Sequence, residues 1–161
     1  MASRHKEMQN IIRHYKHETK KREVDMRDVV RWAVTHGWPL PKPIDPIDRL
    51  AKEFSQAARE ELRTDATTGK PYRVNHAVRV NQNGQVLMFW VDIDEAPRKP
   101  MLISVTQRRE QMVGDGLQLS LDVDHWNSIN SGKEDPIEVQ LDFTDDVEWR
   151  KNAPDDEEEA G

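Results

Sequence analysis

Arg73–Asp94, RVNHAVRVNQNGQVLMFWVDID, places two strand-like runs on either side of Asn83-Gly84. That dipeptide favours a type I′ hairpin turn, because both central residues must take positive φ. With the pair at the tip, the register follows: Val80 opposite Leu87, Val78 opposite Phe89, His76 opposite Val91 and Val74 opposite Ile93. One face of the ribbon is then almost wholly apolar. The other pairs Arg79 with Met88, Ala77 with Trp90, Asn75 with Asp92 and Arg73 with Asp94, a mixed surface of one indole, two guanidiniums and two carboxylates.

Three helices are expected upstream. Residues 4–22 carry Met8, Ile11, Ile12 and Tyr15 at spacings of 3 to 4, a narrow apolar stripe on a polar helix. Asp25 as N-cap, Asp28 in the first turn, the face Met26, Val29, Val30, Ala33 and Val34, and Gly37 as a stop predict a second helix over about 26–36. Pro39, Pro41, Pro43 and Pro46 then make a stiff connector, read as a spacer although Pro43 and Pro46 also meet the bare PxxP spacing. A third helix is expected from about Pro46 to Arg63, with Ile47, Leu50, Phe54, Ala58 and Leu62 on one face, and Thr64–Pro71 is a loop by composition.

Downstream, Leu102, Val105, Met112, Leu119, Val123 and Trp126 recur at 3 to 4 spacing once Arg109 and Gly116 fill the gaps, which predicts a long helix from Pro100 to about Asn130. Gly114 and Gly116 leave an alternative open, in which the helix stops near Val113 and Leu117–Val123 alternate as a strand. Ile137, Val139, Leu141 and Phe143 alternate with polar residues as a half-buried strand should, and would supply the hairpin with a third strand. Thr144 can cap a short helical turn through Val147 and Trp149. The expected architecture is α+β, with N-terminal helices, a β-hairpin extended to a small antiparallel sheet and a long C-terminal helix, in winged-helix-like order. It divides into an amphipathic helix (1–22), one α+β domain (23–150) and a disordered acidic tail (151–161).

Composition narrows the function classes. The 161 residues suit one domain with flexible ends, 35% hydrophobic and 34% charged, with five Trp as large core fillers. There is no cysteine, which excludes disulfides, thiolate metal sites and thiol nucleophiles, and fits a cytoplasmic address. No apolar leader or membrane-length apolar run occurs. Charge is divided unevenly: 21 Lys/Arg against 14 Asp/Glu over 1–109, a net of +7, then 3 against 16 over 110–161, a net of −13. A basic front joined to an acidic rear points to nucleic-acid contact, to an acidic tail that competes for a basic surface, or to simple solubility.

RREQMVGDGLQLSLDVDHWN followed by PIEVQLDFTDDVEW resembles a segment of a set of uncharacterised bacterial hypothetical proteins, in which a GD-x-x-QL-x-x-D-x-D block precedes PI-x-x-x-x-DFT. The likeness covers roughly the last third of the chain. It implies a bacterial origin and no mechanism.

Two readings of function follow. The first is a non-enzymatic interaction or adaptor protein whose Trp90 face, proline connector and acidic end contact an unknown protein partner. The second is a winged-helix-like nucleic-acid binder, in which Arg49, Lys52 and Arg59 of the third helix approach the duplex while Arg73, Arg79 and the Asn83 tip act as a wing. Against the second stand a connector of about nine residues, longer than the 3 to 4 residue turn of the helix-turn-helix motif, and a third helix with as many acids as bases. A metal-dependent phosphodiesterase using Asp92, Asp94, Asp122, Asp124 and His125 is a distant third, because the spacing converges on no ligand set. His14, His17 and Glu18 lack a third ligand, and His76 on the apolar hairpin face reads as a core histidine with a satisfied ring nitrogen. No cofactor and no metal is expected.

Overall fold

A computed structural model describes residues 3–154. It is an α+β protein of five helices and two small antiparallel sheets, and the chain divides within its third helix into two compact units, Met1–Arg49 and Leu50–Gly161.

In the first unit, α1 (Arg4–Thr19) opens on Ser3, whose hydroxyl accepts from Lys6 N, and closes on Lys20 in the left-handed region at φ 59°. Helix α2 (Met26–Thr35) starts where Asp25 accepts from Arg27 N at 2.7 Å. It ends in a Schellman motif, with Trp38 N donating to Ala33 O, Gly37 N donating to Val34 O, and Gly37 supplying φ 92°. Tyr15, Val29 and Ala33 are buried where α1 meets α2, and Tyr15 meets Trp32 edge-on at 5.9 Å between ring centroids.

Helix α3 spans Pro46–Glu60, with the Asp45 carboxylate accepting from Ile47 N at 2.8 Å as its cap. It stops short of Arg63. Leu62–Thr64 instead forms β1, paired with β2 (Pro71–Arg73), and the expected loop between them is a hairpin turn. Asp65 explains the difference: its carboxylate accepts from the amides of Thr67 and Thr68, both at 2.8 Å, satisfying donors that would otherwise be orphaned in a tight reversal. Those two bonds stabilise the carboxylate and hold its pKa below the ordinary aspartate value.

Strands β3 (Asn75–Gln82) and β4 (Gln85–Asp92) form the ribbon in the register read from Asn83-Gly84, which take φ 51° and 78°. Ile93 N donates to Val74 O, extending the pairing by one step. Arg73, however, lies in β2 opposite Leu62, and Arg63 takes the place expected of it beside Asp94. Val74 (1% exposed), His76 and Val78 are buried on the apolar face, and His76 Nε2–H donates to Arg73 O at 2.9 Å, the core role expected of it.

Helix α4 runs unbroken over Arg98–Ile129, through both glycines, and packs along β3. Gln107 closes the outer edge of that strand: its Oε1 accepts from Arg79 N at 3.1 Å and its Nε2 donates to Arg79 O at 2.8 Å, as a neighbouring strand would. Residues 137–143 form no strand. The one stretch expected to widen the sheet has its first backbone groups taken by a helix instead, with Asn127 bonding both N and O of Ile137. The hairpin therefore remains two-stranded, and α4 does the bracing expected of a third strand. Helix α5 follows over Thr144–Asn152, and the Asp142 carboxylate accepts from both N and Oγ1 of Thr144. The acidic tail expected over 151–161 begins later, since Lys151 and Asn152 complete the last turn of α5, and its remainder beyond 154 lies outside the described residues.

Candidate nucleic-acid interface

The mixed face of the ribbon forms the floor of a cleft of about 680 Å³ in the second unit. Alternation sets that floor: Asn75, Ala77 and Arg79 of β3 and Met88 and Trp90 of β4 point to the same side. Arg59, near the end of α3, lines the cleft with its guanidinium 5.1 Å from the centre of the Trp90 ring, a cation–π contact. Asn75 ties the ribbon to the same helix end by donating from Nδ2 to Ala58 O and to Glu61 Oε2, at 3.2 and 2.7 Å. Ser104, Gln107, Arg108 and Gln111 of α4 also line the cleft, and the Gln107 clip to Arg79 sets the depth of that helix against the strand.

Four guanidiniums, from Arg59, Arg73, Arg79 and Arg108, line the cleft with one carboxylate, Glu110. Glu110 contacts Arg109 at 3.3 Å. Among the described residues no carboxylate is paired with Arg73, Arg79 or Arg108. The acids nearest the ribbon end are already engaged. Arg63 reaches Asp92 at 3.0 Å and Asp94 at 2.6 Å, and the Tyr72 hydroxyl donates to Asp94. The Asp94 amide and then the Arg63 guanidinium hold the Asp92 carboxyl below its ordinary pKa. The bond to Asp94 raises Tyr72, because the phenol must stay protonated to donate. Hydrogen bonds to both carboxylates fix Arg63 in its charged form. This closed cluster anchors β1 to the end of the hairpin and keeps Asp92 and Asp94 engaged with Arg63 and Tyr72.

Of the residues singled out in the sequence, Arg59, Arg73, Arg79 and Trp90 come together in the cleft. Arg49 and Lys52 do not line it, and Asn83 sits at the hairpin tip. Trp90, expected as an open partner surface, is half-buried. The sequence reading missed the wall contributed by α4. Its signal is the set Ser104, Gln107, Arg108 and Gln111, which the helical period brings to one side of α4 within about two turns. Among the described residues no group of three or more His, Asp or Glu is arranged to hold a metal ion, and no helix is long and apolar enough to cross a membrane. A second groove, of about 440 Å³ in the first unit, is lined by Ile11, His14, Trp32, His36 and Trp38; His36 stacks on Trp32 at 4.0 Å between centroids.

No protein-family model, no curated protein and no solved structure matches the chain.

Proposed function

We propose that the protein is a non-enzymatic binder of single-stranded nucleic acid, with the phosphate backbone seated in the cleft over β3 and β4. The observation that carries this reading is the convergence of Arg73, Arg79 and Arg108, none with an acidic partner among the described residues, beside an Arg59–Trp90 stack. Guanidiniums offer planar, paired donors to phosphate oxygens, and an indole adds a face on which a base can stack. A concave site suits a strand. A duplex would require a protruding element to enter a groove, and of the third-helix residues that a winged helix would use there, Arg49, Lys52 and Arg59, only Arg59 lines the cleft. In this reading the acidic end of the chain competes with the ligand for the same cations.

Fluorescence anisotropy with labelled single-stranded and duplex oligonucleotides tests it. For single strands the slope of log affinity against log salt is about −0.7 per phosphate neutralised. Four cleft arginines therefore predict a slope of about −2.8, or a loss of about 50-fold between 50 and 200 mM salt. Arg79→Ala should make the slope shallower by about 0.7, and removing residues 154–161 should tighten binding. Absence of binding at 50 mM salt, or binding unaffected by both Arg73→Ala and Arg79→Ala, refutes the proposal.

A second reading, docking of a protein partner, is favoured by the apolar residues Leu50 and Phe54, which share one face of the part of α3 in the second unit and stay exposed. Alanine or aspartate at Phe54 would abolish such an interaction and leave the oligonucleotide slope unchanged.

A further inference from the structure

The first half of α4 is turned the opposite way from an ordinary amphipathic helix. At about 100° per residue, Ser104 and Gln107 lie on one side and Leu102, Val105 and Met112 on roughly the other. The polar side faces the protein's own sheet: Ser104 is 0% exposed with its hydroxyl unpartnered, and Gln107 clips Arg79. The apolar side of this first half faces outward, with Leu102 51%, Val105 53% and Met112 59% exposed; farther along, Leu119 stays exposed while Val123 and Trp126 are half-buried. Toward the other end of the helix, the stretch Ile137–Phe143, held by Asn127, still exposes its own alternating apolar side chains and enlarges the same kind of surface.

The row Leu102, Val105, Arg109, Met112, Gly116, Leu119, Val123 and Trp126, apolar except at Arg109 and Gly116, repeats at alternating spacings of 3 and 4, the spacing of a coiled-coil seam. Charge selects its occupant. Residues 98–113 carry four Lys/Arg and one Glu, a net of +3, whereas residues 114–129 carry three Asp and no Lys or Arg, a net of −3. A second copy laid parallel would set like charge against like; laid antiparallel, it sets each basic half on an acidic half. A two-fold axis at the level of Gly114 then brings the row into register with itself: Leu102 on Trp126, Val105 on Val123, Arg109 on Leu119 and Met112 on Gly116 of the second copy. The two helical glycines cost roughly 1 kcal/mol each relative to alanine, and a Cβ at either would meet nothing within 4 Å in the single chain, so no packing within the chain calls for them. Across this axis Gly116 receives Met112.

We infer that α4 is a self-association surface and that the protein forms an antiparallel homodimer along it. This is independent of the cleft, which lies on the other side of the helix. Sedimentation velocity on the full chain should give twice the chain mass, and Val105→Asp, at an exposed position that burial does not constrain, should return it to a monomer with unchanged circular dichroism. Orientation can be read by thiol crosslinking, because the natural chain has no cysteine. Val105 lies nine residues from the axis, so with a rise of about 1.5 Å per residue its two copies are about 27 Å apart, far beyond the roughly 7 Å a disulfide spans between Cα atoms. Val105→Cys mixed with Val123→Cys should therefore crosslink while each variant alone does not. A monomer at all concentrations, a dimer indifferent to Val105→Asp, or crosslinking of Val105→Cys with itself would each overturn the inference.

Discussion

Gln107 holds the cleft together by imitating a β-strand, and replacing it should expose that role. Its carboxamide makes two bonds to the backbone of Arg79, at 3.1 and 2.8 Å. Each net hydrogen bond contributes about 0.5–1.5 kcal/mol, and because both lie in an exposed setting, where water can replace them, the loss in Gln107→Ala should be about 1–2 kcal/mol. For a domain of this size that corresponds to about 2–8 °C in Tm. Gln107→Glu isolates the donor. At neutral pH the carboxylate can still accept from Arg79 N, but it confronts Arg79 O, acceptor against acceptor. The new carboxyl is thus favoured in its protonated form in the folded state, and its folded pKa lies above the unfolded value of about 4.3. Its stabilising contribution is complete below the unfolded pKa and is lost as pH rises through the folded one. The Tm difference between Gln107→Glu and the natural chain should therefore narrow on acidification toward pH 4 and widen by pH 7. Differential scanning calorimetry reads the Tm, and amide hydrogen exchange reads Arg79 N–H directly. Unchanged protection of that amide in Gln107→Ala, or a Gln107→Glu deficit independent of pH, would refute the idea that this side chain closes the strand edge.

Gly84→Ala should cost about 1–2 kcal/mol by thermal denaturation, because an L residue is strained at φ 78° although the space for a Cβ is open; Asn83→Gly should be close to neutral. Asp65 has a lowered folded pKa, so the turn it caps is fully stabilised above the ordinary aspartate pKa and loosens as pH falls through the folded value. Exchange of the Thr67 and Thr68 amides should accelerate there beyond its intrinsic pH dependence, and Asp65→Asn should remove that excess. Val74→Ala deletes two methyl groups from a side chain that is 1% exposed, and at about 0.8 kcal/mol each plus a cavity contribution should destabilise the protein by about 2–3 kcal/mol in urea titration; a loss below 0.5 would place the core elsewhere.

Local chemistry was legible wherever a residue acts on its own neighbours. Asn83-Gly84 specifies the ribbon and its register because only a few residues tolerate positive φ, and a shift of one position would turn Val74, His76 and Val78 to the opposite face. Asp25 and Gly37 bound α2 because caps satisfy backbone groups within four residues. The uninterrupted α4 was also readable, since its apolar spacing persists across both glycines. Alternation in Ile137–Phe143 misled, because period two states which side chains share a face and says nothing of whether a ladder partner is free.

By itself, then, the order of residues determined the α+β class, the hairpin with its pairing, and which arginines share a side with Trp90. Only the tertiary structure decided that Arg63, and not Arg73, neutralises Asp94, that α4 rather than a third strand closes β3, and that Arg108 joins Arg59, Arg73 and Arg79 around one cleft. The physical reason is range: turns and caps are settled by atoms a few residues apart, whereas the partner of a guanidinium or an open strand edge is whichever group, at any distance along the chain, the packing brings within about 3 Å.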